Sequence, residues 1–345
     1  MNFFKENSQM ELIKGSYEQT AFLGICPVER VRDKYLVLLS EKKFFNQFIS
    51  HFKNEQSEKV SILLTKDLYN TIKDDLDWKS VEEKAQVVIV TNDFPRTLTQ
   101  LSYHFHQKAY ENLDLMMDGR EDGSAKIHPT AKVGANCFVG QNVTIGEGAV
   151  VHPHCHIGAN SSIGDKTVLF AHGSIYPFSK IGNNCRVHSH VTIGADGFGY
   201  QFIDGAHKKM WHFGGVTIGD EVEIGANSCI DGGTFYPTTI GEGSKIDNHV
   251  QIGHNCQIGK HVLLCGQVAL GGSAKLEDYV VFGGKAGCGP SIELGVGCQV
   301  GGGGLVNNSW PAGTKLGGHP ARPLKEWMKG LATIRKLSLE KTKGA

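Results

Sequence analysis

The sequence predicts a mainly β protein: a left-handed parallel β-helix of hexapeptide repeats, with a small N-terminal α/β domain before it and a C-terminal helix after it. Three observations carry this. From Ile127 to Ile193 an Ile, Val or Leu stands at every sixth residue, twelve times in succession. The spacing resumes at Ile218, Ile224 and Ile230, slips by four residues, and runs from Ile240 to Val306 with only Phe282 and Cys288 departing from it. The fifth position of the hexad is small, as at Ala131, Cys137, Ala149, Cys155, Ser161 and Cys185. A period of six is neither helical nor simple strand alternation; each hexad gives one short strand and one corner, and three hexads close a triangular coil. Glycine often follows the aliphatic residue, as at Gly134, Gly158, Gly182 and Gly253, and is expected there to give the corners backbone freedom.

Residues 1–115 follow a different grammar. Tyr35–Ser40, Val60–Thr65 and Gln86–Val90 predict buried strands, and Lys42–Lys53 and Phe94–Tyr110 show helical spacing of apolar residues. Together they predict a small α/β domain. Residues 116–126, MMDGREDGSAK, are polar with two glycines and predict a linker. The repeat domain spans 127–318, Pro320 and Pro323 punctuate its exit, and 319–345 predicts a helical segment. Between Gly199 and Val216 the chain must leave the coil as an excursion rich in His, Lys and aromatics, a composition that points to function. The slip around Phe235–Thr238 predicts a second, smaller bulge.

With 35 basic and 35 acidic residues, the net charge of zero gives no electrostatic reason to expect nucleic-acid binding. The end of the chain is locally basic, with Lys325, Lys329, Arg335, Lys336, Lys341 and Lys343 against Glu326 and Glu340, a surface for an acidic partner or an ordinary solvated face. Nine cysteines form no C-x-x-C, and Cys137, Cys155, Cys185, Cys256 and Cys298 all fall in the small fifth position, which predicts buried free thiols. The start lacks an apolar signal region and no segment predicts a membrane span, so a cytoplasmic location is expected.

The sharpest local signal is Ile246–Asn255, IDNHVQIGHN, which puts His249 and His254 five residues apart. A catalytic zinc would need three protein ligands. One coil on from the pair lie Gln267 and Gly272, and one coil back, allowing for the slip, lie Asn227 and Gly232, so no third histidine stacks in register and no metal is expected. The other chemistry is general base catalysis: a neutral imidazole takes a proton from an attacking amine or hydroxyl. Gly272 stands one coil above His254, where strands are about 4.8 Å apart, so its N–H could face the same reacting carbonyl as an oxyanion donor.

The motifs GADGFGY (Gly194–Tyr200), VTIGDEVEIGA (Val216–Ala226), the ID-x-G of Ile230–Gly233, IDNHVQIGHN, GGKAG (Gly283–Gly287) and GHPARPLKEW (Gly318–Trp327) resemble the UDP-3-O-acylglucosamine N-acyltransferases of lipid A biosynthesis. The resemblance implies that His254 is the base that deprotonates the sugar's 2-amino group and that Gly272 supplies the oxyanion N–H. It further implies a 3-hydroxyacyl donor carried on the phosphopantetheine of acyl carrier protein with no other cofactor, a UDP-linked glucosamine acceptor, and a homotrimer with sites between neighbouring β-helices. The N-terminal domain would then bind the nucleotide. Asp247, Asn248, His249 and Gln251 of the histidine motif, Lys209 and His212 of the excursion, and Phe44 of the N-terminal domain are the substrate-binding candidates. Ser291 stands where the family has a second histidine, Gly232 where it has Arg, and Leu38 and Glu41 replace two of the three groups that cradle uridine. Gly303 and Gly304, in the run Gly301–Gly304, are expected to line a groove for the acyl tail or else a seam between subunits. Alternatives are an O-acyltransferase, an acetyl-CoA-dependent transferase acting on another sugar, and a catalytically silent scaffold.

Overall fold

The computed structural model describes residues 3–28, 31–52, 60–318 and 323–341. Lys53, expected in a helix, and Pro320, expected at the exit of the repeat, lie outside them. The repeat region closes into a prism of parallel sheets: a first face beginning at Lys126–Ile127, a second at Lys132–Val133 and a third at Phe138–Val139. Registers hold at eighteen residues, with Val151 beside Leu169 and Ile157 beside Ile175; the excursions lengthen the step, as from Ile193 to Ile230, and the last coil shortens it, with Val300 beside Leu316. The aliphatic residues stack inward in one continuous core from Val139 to Val306.

The small fifth position does more than fit. Its thiol or hydroxyl donates to a carbonyl of the next coil: Cys137 to His152 O (3.1 Å), Ser161 to Tyr176 O (3.0 Å), Ser228 to Asp247 O (2.8 Å) and Cys256 to Gly271 O (3.2 Å). Burial accordingly pushes the Cys256 thiol up to about 12, which keeps it protonated and inert at neutral pH.

The glycines after the aliphatic position have another reason than the one expected. A Cβ at Gly134 would lie 2.6 Å from Pro153 N, so close approach of the next coil excludes it. The left-handed conformation falls two residues later, at Asn136 (φ 56°), His154 (62°), His172 (63°) and His190 (60°), and again at His249 (57°). Asn and His tolerate it better than β-branched residues. At the corner between the second and third faces this stacks His154, His172 and His190 with ring centroids 5.1 and 4.9 Å apart.

The N-terminal domain is a five-stranded sheet in the order β1-β5-β4-β3-β2, from β1 (Met10–Lys14), β2 (Gly24–Cys26), β3 (Tyr35–Leu39), β4 (Val60–Thr65) and β5 (Ala85–Thr91). Only β1 runs antiparallel, against β5. Its helices are α1 (Phe3–Glu6), α2 (Lys42–Phe52), α3 (Lys66–Ile72), α4 (Leu76–Lys84) and α5 (Phe94–Tyr110). Helices on both sides of the sheet explain why VSILLT and AQVVIVT read as unbroken apolar runs. Asp93 caps α5 by accepting from Arg96 N–H (3.1 Å), with Pro95 in the first turn.

Residues 116–126 pack rather than hang free: Gly119 N–H donates to Val139 O (2.7 Å), and Arg120 pairs with Asp118 and donates to Cys137 O (2.7 Å). The excursion contains an antiparallel hairpin, Tyr200–Ile203 with Ala206–Lys209, docked on α5. Arg96 grips Asp204 with two bonds of 2.9 and 3.0 Å, Trp211 N–H donates to Ser102 Oγ (3.1 Å), and Phe213 and Phe235 join the core of the α/β domain. α6 (Leu324–Lys341) follows the prism with Leu324, Trp327, Met328, Leu331, Ile334 and Leu337 exposed. Among the described residues no helix is long and apolar enough to cross a membrane.

Candidate active site

The corner between the third and first faces is where the coil is interrupted. The excursion leaves between Thr192–Ala195 and Val216–Ile218, the bulge between Cys229–Asp231 and Thr238–Ile240, and His254 stands on the next coil between Gln251–Ile252 and Gln257–Ile258. The bulge holds the histidine's neighbour. Asn255 Oδ1 accepts from Thr234 N–H (2.7 Å), Asn255 N–H donates to Thr238 Oγ1 (2.9 Å), and Asn255 Nδ2 lies 3.1 Å from His254 Nδ1.

Two glycines shape the slot for the His254 ring. A Cβ at Gly197 would lie 2.5 Å from His254 Cβ, and one at Gly272 would lie 2.7 Å from His254 Nε2. At the equivalent corner place, Lys260 N–H donates to Asp278 Oδ1 (2.8 Å) and Asp165 N–H to Asn183 Oδ1 (2.8 Å). Above Gly272 the coil offers Pro290, which has no side-chain acceptor, and the Gly272 N–H has no hydrogen-bond partner among the described residues. The Gly272 N–H thus stands one coil above a half-buried imidazole.

Burial holds the His254 imidazole below its ordinary range. His212 packs behind it, ring centroids 5.2 Å apart, 4% exposed and with neither ring nitrogen partnered. Burial first and the neighbouring His254 second push its pKa down to about 4, so His212 is neutral. Asp231, beside the bulge, is pushed up to about 6 by burial, although Gln251 Nε2 donates to its Oδ1 (2.9 Å).

A cavity of about 510 Å³ runs from the α/β domain to this corner. Leu38 and Phe44 wall one end, Phe198 and Tyr200 the side, and His254 and Asn255 the other end. A second cavity of about 780 Å³ lies along the third face between Tyr110, Tyr176 and Asp196. The loop from Ala195 to Gly199 separates the two, with Asp196 on one side and Phe198 on the other.

Phe44 and His254 line the first cavity, Gly272 stands one coil above His254, and Gln251 is exposed on the third face with its amide on Asp231; the other candidates are distributed differently. His212 is buried behind His254 and cannot offer its ring to a ligand. Lys209 is paired with Asp196 and lies over the Trp211 ring at 5.2 Å. Asp247, Asn248 and His249 occupy the corner between the second and third faces, one strand away. There Asn248 Oδ1 accepts from Ala226 N–H (2.7 Å), so its amide is committed to the scaffold. Gly303 belongs to that same corner, with open space where its side chain would be. Gly304 is buried in the small fifth position, where an added Cβ would meet Val300 at 3.1 Å, and it lines a cavity of about 250 Å³ at the end of the prism with Trp310 and Leu316. Glu41 is exposed and does not line the cavity, whereas Leu38 does. Sequence reasoning did not single out Asn255, Thr234, Asp231 or Gly197, although the first stands beside His254 and the last two lie within the quoted motifs.

Among known proteins, the family described as "GMPPB C-terminal domain" matches residues 122–239, and "Bacterial transferase hexapeptide (six repeats)" matches 237–272. Of the solved structures, UDP-N-acetylglucosamine acyltransferase of Francisella novicida aligns with a TM-score of 0.47 and 28% identity over 59% of this chain and 72% of that one. The same-named enzyme of Campylobacter jejuni gives 0.41 and 24% over 54% and 66%. A Methylobacterium sp. protein named UDP-3-O-acylglucosamine N-acyltransferase is 46% identical over 146 residues, 42% of each chain. The chain spans less than two thirds of the length of the curated relatives it matches. Of these, the Helicobacter hepaticus protein, also named UDP-3-O-acylglucosamine N-acyltransferase, is similar to it at 54% identity over 207 residues, 60% of this chain and 64% of the relative.

Proposed function

We propose that the protein is an N-acyltransferase that moves a 3-hydroxyacyl group from acyl carrier protein to the 2-amino group of a UDP-3-O-acylglucosamine, a step of lipid A biosynthesis. The observation that carries this is the continuous cavity joining Phe44 to His254, with the unpaired Gly272 N–H one coil above. It has room at the α/β end for a nucleotide and chemistry at the β-helix end. The amine nitrogen bonds to the thioester carbonyl carbon while His254 takes its proton. The carbonyl oxygen, gaining charge, is met by the Gly272 N–H. Collapse breaks the C–S bond, and the proton passes to the departing thiolate.

A homotrimer completes the reading. Asp247 and His249 stand one corner away from His254, so the two sets meet one ligand only across a seam between copies. Acyl carrier protein, an acidic partner, suits the basic segment that contains Lys325, Lys329, Arg335 and Lys336. The test is to offer UDP-3-O-acylglucosamine and UDP-N-acetylglucosamine separately, with acyl carrier protein and coenzyme A donors, and weigh the products. N-acylation of the first acceptor from the carrier protein is expected; O-acylation of the second, or use of coenzyme A alone, would replace this reading with another. Light scattering tests the trimer, and a fully active monomer would dismiss it.

A further inference from the structure

We infer that Asn255 is a positioning residue that fixes the tautomer of His254, holding the resting imidazole with its proton on Nε2. The inference rests on the reading of His254 as the base. A side-chain amide can be turned either way, and here a backbone group decides. Thr234 N–H is an obligate donor 2.7 Å from the Asn255 amide, so the oxygen faces it. The amide nitrogen is then directed at Thr234 Oγ1 (3.2 Å) and His254 Nδ1 (3.1 Å). An amide N–H only donates, so Nδ1 accepts with its lone pair, and a neutral ring carries its one proton on Nε2. Turning the amide over would set two donors face to face at Thr234; the Thr234 hydroxyl is indifferent, since it can donate or accept.

The consequence is chemical. Nε2, the atom beside Gly272, is in the resting state a donor and not a base. Taking a proton from an amine at Nε2 requires that the Nε2 proton first leave to solvent and that Nδ1 acquire one, which gives up the bond from the Asn255 amide. The bulge that carries Thr234 therefore sets the acid–base state of the neighbouring coil. The charged and titratable groups around this ring are the neutral His212 on the excursion, the Asp196–Lys209 pair beside it, and Asp231 on the coil below.

The tautomer can be read without activity. In the intact protein, ¹⁵N-labelled histidine is expected to show His254 with a protonated Nε2 and an imine-like Nδ1. The reverse pattern in the wild type overturns the inference, whatever the protein catalyses. Asn255→Asp offers a carboxylate that accepts from Thr234 N–H and Nδ1–H together. It is expected to move the proton to Nδ1 and to shift the acidic limb of the pH–rate profile up by about one unit. Asn255→Asp with an unchanged ¹⁵N pattern and unmoved limb also overturns it. If His254→Ala keeps full activity while the tautomer is as stated, the base reading fails and the positioning inference stands.

Discussion

His212 stands edge-on to His254, ring centroids 5.2 Å apart with their planes at 63°, and the rear ring is closed off from solvent. Two positive charges at that separation, with little water between them, repel strongly. The rear ring therefore stays neutral while the front one is free to gain and lose a proton.

Acid should expose this arrangement. His212 titrates at about 4 when folded against an ordinary value of 6.5, so the unfolded chain binds its proton first as the pH falls. Stability is lost progressively from about pH 6.5 to about pH 4, by roughly 3 kcal/mol in total. Chemical denaturation across that window checks it, and His212→Gln should flatten the slope.

Asp231 acts with the opposite sign. Its folded pKa of about 6 lies above the ordinary value of 3.8, so its contribution is present below 3.8 and lost as the pH rises through 6. Asp231→Asn keeps an oxygen for Gln251 and removes the buried charge. It should raise stability at pH 8 by about 1–2 kcal/mol, allowing for partial exposure, and leave stability at about pH 3.5 unaltered. A melting temperature at pH 8 no higher than wild type would rule this out.

Removal of the ring itself should cost activity and little else. His254→Ala is expected to lower kcat/KM about 100- to 10,000-fold while the melting temperature stays within a few degrees. Retention of more than a tenth of the activity would take His254 out of the mechanism.

Gly272→Ala should act through the same ring. The added Cβ would crowd Nε2 from 2.7 Å, and the ring must turn away. Activity is expected to fall at least about tenfold, and the loss should vanish in the His254→Ala background. Additive losses in the double mutant would mean that Gly272 works independently of His254.

Phe44 tests the far end of the cavity. Phe44→Ala should weaken UDP binding by about 1–2 kcal/mol, the worth of an aromatic face partly shielded from water. Calorimetry giving equal affinities for both proteins would put the nucleotide elsewhere.

The prism was legible because a stacked core imposes its period on the chain: Ile157, Ile175 and Ile193 must meet, and each does. Helix α5 was legible to the residue, since an amphipathic helix shows its spacing locally. The short strands β1 and β2 and helices α3 and α4 were not, since each is defined by the sheet it joins more than by its own pattern. His254 and Gly272 could be paired by adding one coil. His212 could not, because it reaches the site from an excursion that has no period. Nor could the commitment of Asn248 to Ala226 N–H be foreseen, since an exposed Asn in a motif looks the same whether it binds a ligand or a corner.

Both interruptions of the coil open at one edge, and His254 stands on that edge. The other two edges repeat without a break from coil to coil, each held by the same carbonyl and corner bonds. New chain can thus be added at the third-to-first corner while the aliphatic stack stays in register, provided the strands resume in phase. The edge that carries His254 is also the edge at which length is free to vary, so the surroundings of this ring can be rewritten through the excursion and the bulge alone, leaving the prism that aims it untouched.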